Sequence, residues 1–117
     1  MITIQEGSAP LTVINVFTVS PENQPELVRL LGEMTERAVR HLPGFLTTSI
    51  HVSIDGTKVV NYAQWESGEH LGGLFASPDA QQYMGRITSI SESDPGFYTV
   101  AQACDVRAAD PVSSQPG

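Results

Sequence analysis

The sequence is poor in cysteine and in positive charge. Cys104 is the only cysteine, which excludes an internal disulfide and a cysteine-based metal site. Six basic residues against 13 acidic ones give a formal charge of −7. No basic stripe is therefore available to neutralise nucleic-acid phosphates or to bind an anionic membrane surface. We expect neither nucleic acid nor membrane among the partners.

Signals for export and membrane insertion are also missing. The stretch MITIQEGSAP, residues 1–10, has neither a basic n-region nor an apolar run long enough for a signal peptide. No stretch approaches the roughly 20 apolar residues of a membrane-spanning helix. Together with the single cysteine, these features predict a cytoplasmic protein.

The familiar motifs for cofactors and nucleophilic catalysis are absent. The sequence has no GxGxxG fingerprint, no Walker A loop and no nucleophile elbow. Its histidines, at positions 41, 51 and 70, lack the spacing of metal ligands. We therefore predict no metal site and no bound cofactor. This expectation favours a reaction that the substrate can largely carry out itself.

The predicted elements follow the order βαββαβ, which is the ferredoxin-like α+β arrangement. Its first helix opens at Pro21–Pro25, with either Ser20 or Asn23 as the cap, continues to Leu42 and is stopped by PGF. A second helical region is interrupted near Ser77 and Pro78. Apolar patterns predict strands at 11–19, 45–54, 57–67 and 96–106. The same kind of pattern places the second helical region at about 69–90.

One domain is predicted over residues 1–106, with a disordered tail at 107–117. Its sheet has apolar residues on both faces, although helices cover only one. The other face would carry Ile14, Val16, Val60 and Tyr62. Such a patch predicts a homodimer that packs sheet against sheet.

The third strand carries the most informative pair of residues. In DGTKVVNYAQWES, residues 55–67, Asn61 lies on the same strand face as Trp65, the only tryptophan. An unpaired buried amide costs roughly 1–3 kcal/mol. Asn61 therefore needs a partner, which is a neighbouring strand, a buried water or a ligand.

The segment PGFLTTSIHVSIDGTKVVNYAQWES, residues 43–67, resembles the antibiotic biosynthesis monooxygenase family, in particular its aromatic-polyketide branch. The resemblance extends over about residues 11–104. It implies a dimeric α+β barrel enzyme that oxidises a polycyclic phenolic, anthrone-like intermediate to a quinone. The oxidant would be molecular oxygen, used without metal, flavin or haem. Reduced flavin supplied from outside is an open alternative.

The resemblance also implies a site. Asn61 would donate to a developing oxyanion, Trp65 would form a stacking wall and supply an indole donor, and Arg86 would stabilise phenolate or peroxide charge. Leu71 stands where the family has a tyrosine, and Tyr83 is the candidate to replace the missing hydroxyl. The full set of predicted substrate-binding residues is Asn15, His51, Leu71, Phe75 and Tyr83.

Two other functions fit the same fold. A haem-degrading oxygenase would need an axial histidine in the second helical region, but the stretch AQQYMGRI has none and His70 lies too early. A non-oxidative polyketide cyclase or a binding module is the other alternative. Neither of these last two would consume oxygen.

Overall fold

The computed structural model describes residues 10–106, which form one antiparallel sheet with helices on one face. The strand order is β2-β3-β1-β4, with the bounds β1 Leu11–Val19, β2 Phe45–Val52, β3 Lys58–Trp65 and β4 Ser91–Tyr98. The helices are α1 Gln24–Arg37, α2 Gly68–Ala76 and α3 Pro78–Ile90. This is the ferredoxin-like βαββαβ architecture, so the predicted fold class is confirmed.

The hydrophobic core lies between the sheet and the helices. Strand alternation turns every second side chain of β1 and β3 toward the helices, and Phe17, Val59 and Trp65 are buried there. The apolar stripe of α1 packs against them through Leu27, Leu30, Leu31 and Met34. These residues recur with the period of an α-helix, so that they form one apolar face, and this face is the one that is buried.

The first helix begins where predicted, with Asn23 at the N-cap position, but it ends earlier than predicted. Neither Ser20 nor Asn23 caps it through a side-chain hydrogen bond. The α-helix ends at Arg37, where Ala38 leaves the helical conformation, and a short 3-10 turn follows over Val39–His41. Pro43 restricts Leu42 to an extended conformation, which ends that turn. The break predicted near Ser77 and Pro78 is confirmed, and the Ser77 hydroxyl caps α3 by accepting from the Ala80 N–H.

The predicted position of the fourth strand is wrong. The apolar pattern of 96–106 favoured a strand there, but β4 is Ser91–Tyr98 and residues 99–106 form no strand. The strand begins directly after α3 and pairs only with β1, at the edge of the sheet. At an edge, polar side chains reach solvent and Pro95 is tolerated without an N–H to donate. The predicted tail at 107–117 lies outside the described residues.

The β2–β3 connection is a tight turn that shortens both strands relative to 45–54 and 57–67. Gly56 has φ +82°, a conformation that favours glycine. The Asp55 carboxylate accepts from the Thr57 hydroxyl (2.7 Å), the Thr57 N–H (3.0 Å) and the Ser53 hydroxyl (2.8 Å). These hydrogen bonds, with the Thr57 side chain first, lower the pKa of Asp55 to about 2.

The sheet face away from the helices is partly open to solvent. Ile14, Val16 and Val60 are half-buried on this outer face, and Tyr62 is 37% exposed. The homodimer stays a prediction. No helix between residues 10 and 106 is long and apolar enough to span a membrane.

Candidate active site

A cavity of about 240 Å³ lies between the sheet and the helices. All three helices contribute to its walls, and β4 contributes through Ser93, Pro95 and Phe97. Most of the lining is aliphatic or aromatic. Any polar group in such a wall acts in a low-dielectric surrounding, so its hydrogen bonds are strengthened.

Strand pairing brings two asparagines together in the floor of the cavity. Asn15 on β1 and Asn61 on β3 are direct partners in the antiparallel ladder, and both line the cavity. Side chains paired in this way have Cβ atoms about 4.5–5.5 Å apart. The sheet therefore presents two adjacent amides to anything held in the cavity.

The two amides are held differently. The Thr48 hydroxyl on β2 donates to the Asn61 Oδ1 at 2.5 Å. By contrast, the Asn15 Oδ1 is buried and accepts no hydrogen bond from the described residues. An unpaired buried acceptor costs roughly 1–3 kcal/mol, so a donor from a bound water or a ligand would stabilise the Asn15 Oδ1. The sequence analysis did not identify Thr48. The only signal for it was the strand alternation that places Thr48 and Ile50 on the same inner face.

Trp65 forms one wall of the cavity and is only 2% exposed. Its ring meets Phe45 edge to face, with centroids 5.4 Å apart and an interplanar angle of 71°. Leu71 and Phe75 of α2 also line the cavity, and Phe75 is 56% exposed, so it lies where the cavity meets solvent.

Three predicted site residues do not reach the cavity. His51 pairs with Val60 on the outer face of the sheet, where it is exposed and hydrogen-bonded to Ser49 (2.9 Å). Tyr83 donates its hydroxyl to Glu33 at 3.1 Å, across the α1–α3 contact. Arg86 is exposed on α3.

The reason for the misplacement on α3 is the rotation of this helix. The residues of α3 that line the cavity are Met84, Ile87 and Thr88, which leaves Tyr83 and Arg86 on neighbouring faces. The hydroxyl absent at Leu71 is therefore not replaced by Tyr83 in this arrangement.

The cavity wall formed by the described residues contains no ionisable side chain. Its other polar groups are the Trp65 indole N–H and hydroxyls, and two of the hydroxyls donate to their own helix: Thr35 to the Leu31 carbonyl (2.8 Å) and Thr88 to the Gly85 carbonyl (3.1 Å). No cluster of three or more potential metal ligands occurs within residues 10–106. The amides of Asn15 and Asn61 are thus the main groups that can bind a polar ligand.

Comparison with known proteins supplies the family context. The family model described as antibiotic biosynthesis monooxygenase matches residues 10–86. Tetracenomycin-F1 monooxygenase of Streptomyces glaucescens is 40% identical over 103 residues, which are 88% of this chain and 92% of that protein.

Two solved structures share the fold. A monooxygenase from the gene ActVA-Orf6 of Streptomyces coelicolor, crystallised with nanaomycin D, has a TM-score of 0.73 and 32% identity over 82% of this chain and 91% of that one. SnoaB, a cofactor-independent oxygenase from Streptomyces nogalater, has a TM-score of 0.66 and 22% identity over 82% of this chain and 97% of that one. At the lower identity the likeness concerns the fold alone.

Proposed function

Because the chain belongs to the antibiotic biosynthesis monooxygenase family, we propose that it oxidises a polycyclic phenolic, anthrone-like polyketide intermediate to a quinone. The chain is a monooxygenase; the substrate class and the independence from metal, flavin and haem are the proposed part. The observation that carries the proposal is the amide pair of Asn15 and Asn61 beside Trp65, in a cavity wall whose described residues include no ionisable side chain.

The shape of the cavity floor suits a flat ligand. Asn61 and Trp65 are four residues apart on one strand face, so their Cα atoms are about 13 Å apart at ~3.3 Å per residue. A three-ring substrate can lie along this strand, with an oxygen at Asn61 and a ring near Trp65. Among the relatives, one is named for tetracenomycin F1 and another was crystallised with nanaomycin D.

The reaction needs an anion and oxygen. An anthrone methylene ionises to an enolate, whose negative charge lies largely on oxygen. The enolate passes one electron to O₂, and the resulting radical and superoxide combine to form a C–O bond. After protonation, the hydroperoxide loses water to give the second quinone carbonyl, so one oxygen atom enters the product and the other leaves as water.

The protein's residues contribute by binding rather than by proton exchange. The Asn61 NH₂ would donate to the enolate oxygen, and the Asn15 Oδ1 would accept from a phenolic hydroxyl. Because apolar side chains surround both amides, their hydrogen bonds stabilise the anion more strongly than water-exposed ones would. The described cavity wall contains no base, so the substrate, made more acidic by these contacts, would release its proton to water when it forms the anion.

The alternatives find less support. A haem-degrading oxygenase needs an axial histidine, and no histidine among the described residues lines the cavity. A non-oxidative cyclase or binding module is disfavoured by the 40% identity to a monooxygenase.

The test is aerobic turnover of 1,8-dihydroxyanthrone by protein treated with chelator and freed of flavin. We expect oxygen uptake and quinone absorbance to rise together, at one O₂ per quinone and well above the spontaneous rate. Uptake that requires added reduced flavin or haem would contradict the cofactor-free mechanism. No uptake under any of these conditions would contradict the oxidation itself.

A further inference from the structure

The hydroxyl of Thr48 makes a contact that the proposed reaction does not yet use. We propose that Thr48 is a positioning residue, whose hydroxyl fixes the Asn61 amide so that its NH₂ group, rather than its oxygen, is presented to the substrate. This role rests on the proposed function because it acts through Asn61.

The structure shows which end of the amide faces Thr48. The Thr48 hydroxyl contacts the Asn61 Oδ1, and an amide oxygen can only accept. The hydroxyl therefore donates to Oδ1, and Nδ2 is turned away from Thr48. Of the two orientations of the amide about its terminal torsion, the structure has the one in which Oδ1 accepts from the hydroxyl and Nδ2 faces away from it.

The selection matters for the chemistry. In the flipped orientation, Asn61 would present a carbonyl oxygen to an oxygen that becomes negatively charged during the reaction. That arrangement repels the enolate, whereas the NH₂ group stabilises it. Removing the hydroxyl leaves Oδ1 without its donor and lets the amide populate both orientations, so fewer bound complexes are productive.

The other amide of the pair has no such support. Asn15 is flanked on β4 by Pro95, which offers neither an N–H nor a polar side chain. The remaining cavity threonines, Thr35 and Thr88, donate to their own helices. Of the three cavity threonines, Thr48 is the one whose hydroxyl fixes an amide.

The test compares Thr48→Val, which keeps the shape, with Thr48→Ser, which keeps the hydroxyl. We expect Thr48→Val to lower kcat about tenfold at nearly constant KM, the effect of roughly one hydrogen bond. Thr48→Ser should retain most of the activity. Thr47→Val, at the exposed neighbour on the outer face, is the matched control and should leave kcat unchanged.

A double-mutant cycle separates positioning from a structural effect. In an Asn61→Ala background, Thr48→Val should cause no further loss of kcat, because the group that it orients is gone. Unchanged kcat in Thr48→Val, or an equal loss in both backgrounds, would overturn the positioning role. Thr48→Ala should reproduce the loss and serves in the same cycle if the valine variant does not fold.

A second readout does not depend on turnover. The side-chain NH₂ resonances of Asn61, assigned by their loss in Asn61→Ala, should shift in Thr48→Val but not in Thr47→Val. If the wild type does not oxidise anthrones, the proposed function fails, yet this NMR result still decides whether Thr48 orients Asn61. Unchanged resonances in Thr48→Val would contradict the contact.

Discussion

At the residue scale, the site depends on which side chains the sheet turns toward the helices. Strand alternation is local, so the shared face of Asn61 and Trp65 followed directly from the sequence, and Asn15 followed from its own strand. The helix-borne residues were harder to place. Rotation of α3 about its axis is set by packing against α1 and the sheet, and no local pattern shows that Arg86 lies outside the cavity.

Arg86 provides a test at this scale. Because its side chain is exposed and does not line the cavity, we expect Arg86→Gln to keep kcat and KM within about twofold of the wild type, as most surface substitutions do. Steady-state oxygen uptake on both proteins is the measurement. A loss of turnover at unchanged melting temperature would contradict this expectation and indicate that Arg86 acts in the site.

At the element scale, the connections between helices and strands decide where the cavity walls stand. The sequence placed α2, α3 and the β2–β3 turn well, because proline, glycine and serine mark their ends. It misplaced β4, since an edge strand needs neither an apolar pattern nor a full set of N–H donors. Pairing with β1, a contact distant in sequence, is what defines that strand.

Gly44, in the connection before β2, is one position that tolerates no side chain. Its φ is +82°, and a Cβ there would lie 2.1 Å from the Cγ of His70 on α2. We expect Gly44→Ala to destabilise the fold by at least 1–2 kcal/mol, the approximate cost of the left-handed conformation alone. Thermal unfolding is the measurement.

Gly85 is the matched control for this substitution. It lies within α3, and a Cβ there would meet no atom within 4 Å. Gly85→Ala should stabilise the fold by about 1 kcal/mol, the difference in helix propensity between alanine and glycine. The melting temperature should therefore rise slightly. A Gly44→Ala protein as stable as the wild type would contradict the described packing of α2 on this turn.

The Asp55 turn predicts a pH dependence of stability. The folded-state pKa of about 2 lies below the reference value of 3.8, so the carboxylate stabilises the fold above about pH 4. This contribution is lost as pH falls toward 2, where the folded-state carboxylate becomes protonated. Melting temperatures of wild type and Asp55→Ala should differ near neutral pH and converge between pH 4 and 2. A difference that stays constant over this range would contradict the charged hydrogen-bond network.

At the scale of the whole molecule, one face of the sheet lines the candidate site, and the other is predicted to pack against a partner. We expect the outer face to pack against the same face of a second copy, because its apolar residues are only half-buried in one chain. Light scattering at micromolar concentration should report a dimer, and Val60→Glu should shift it toward a monomer. Gln82→Glu, which adds the same charge on exposed α3, is the control. A monomeric wild type would contradict the prediction.

The proposed role of Asn61 is to stabilise charge that develops in the reaction. Its most direct test is Asn61→Ala, with oxygen-uptake rates and thermal melts measured on the same samples. If the amide donates to an oxyanion formed along the reaction, kcat should fall about a hundredfold, or ~3 kcal/mol, with little change in melting temperature. If the residue is structural, the variant should melt several degrees lower and keep its turnover per folded molecule, which would contradict the account.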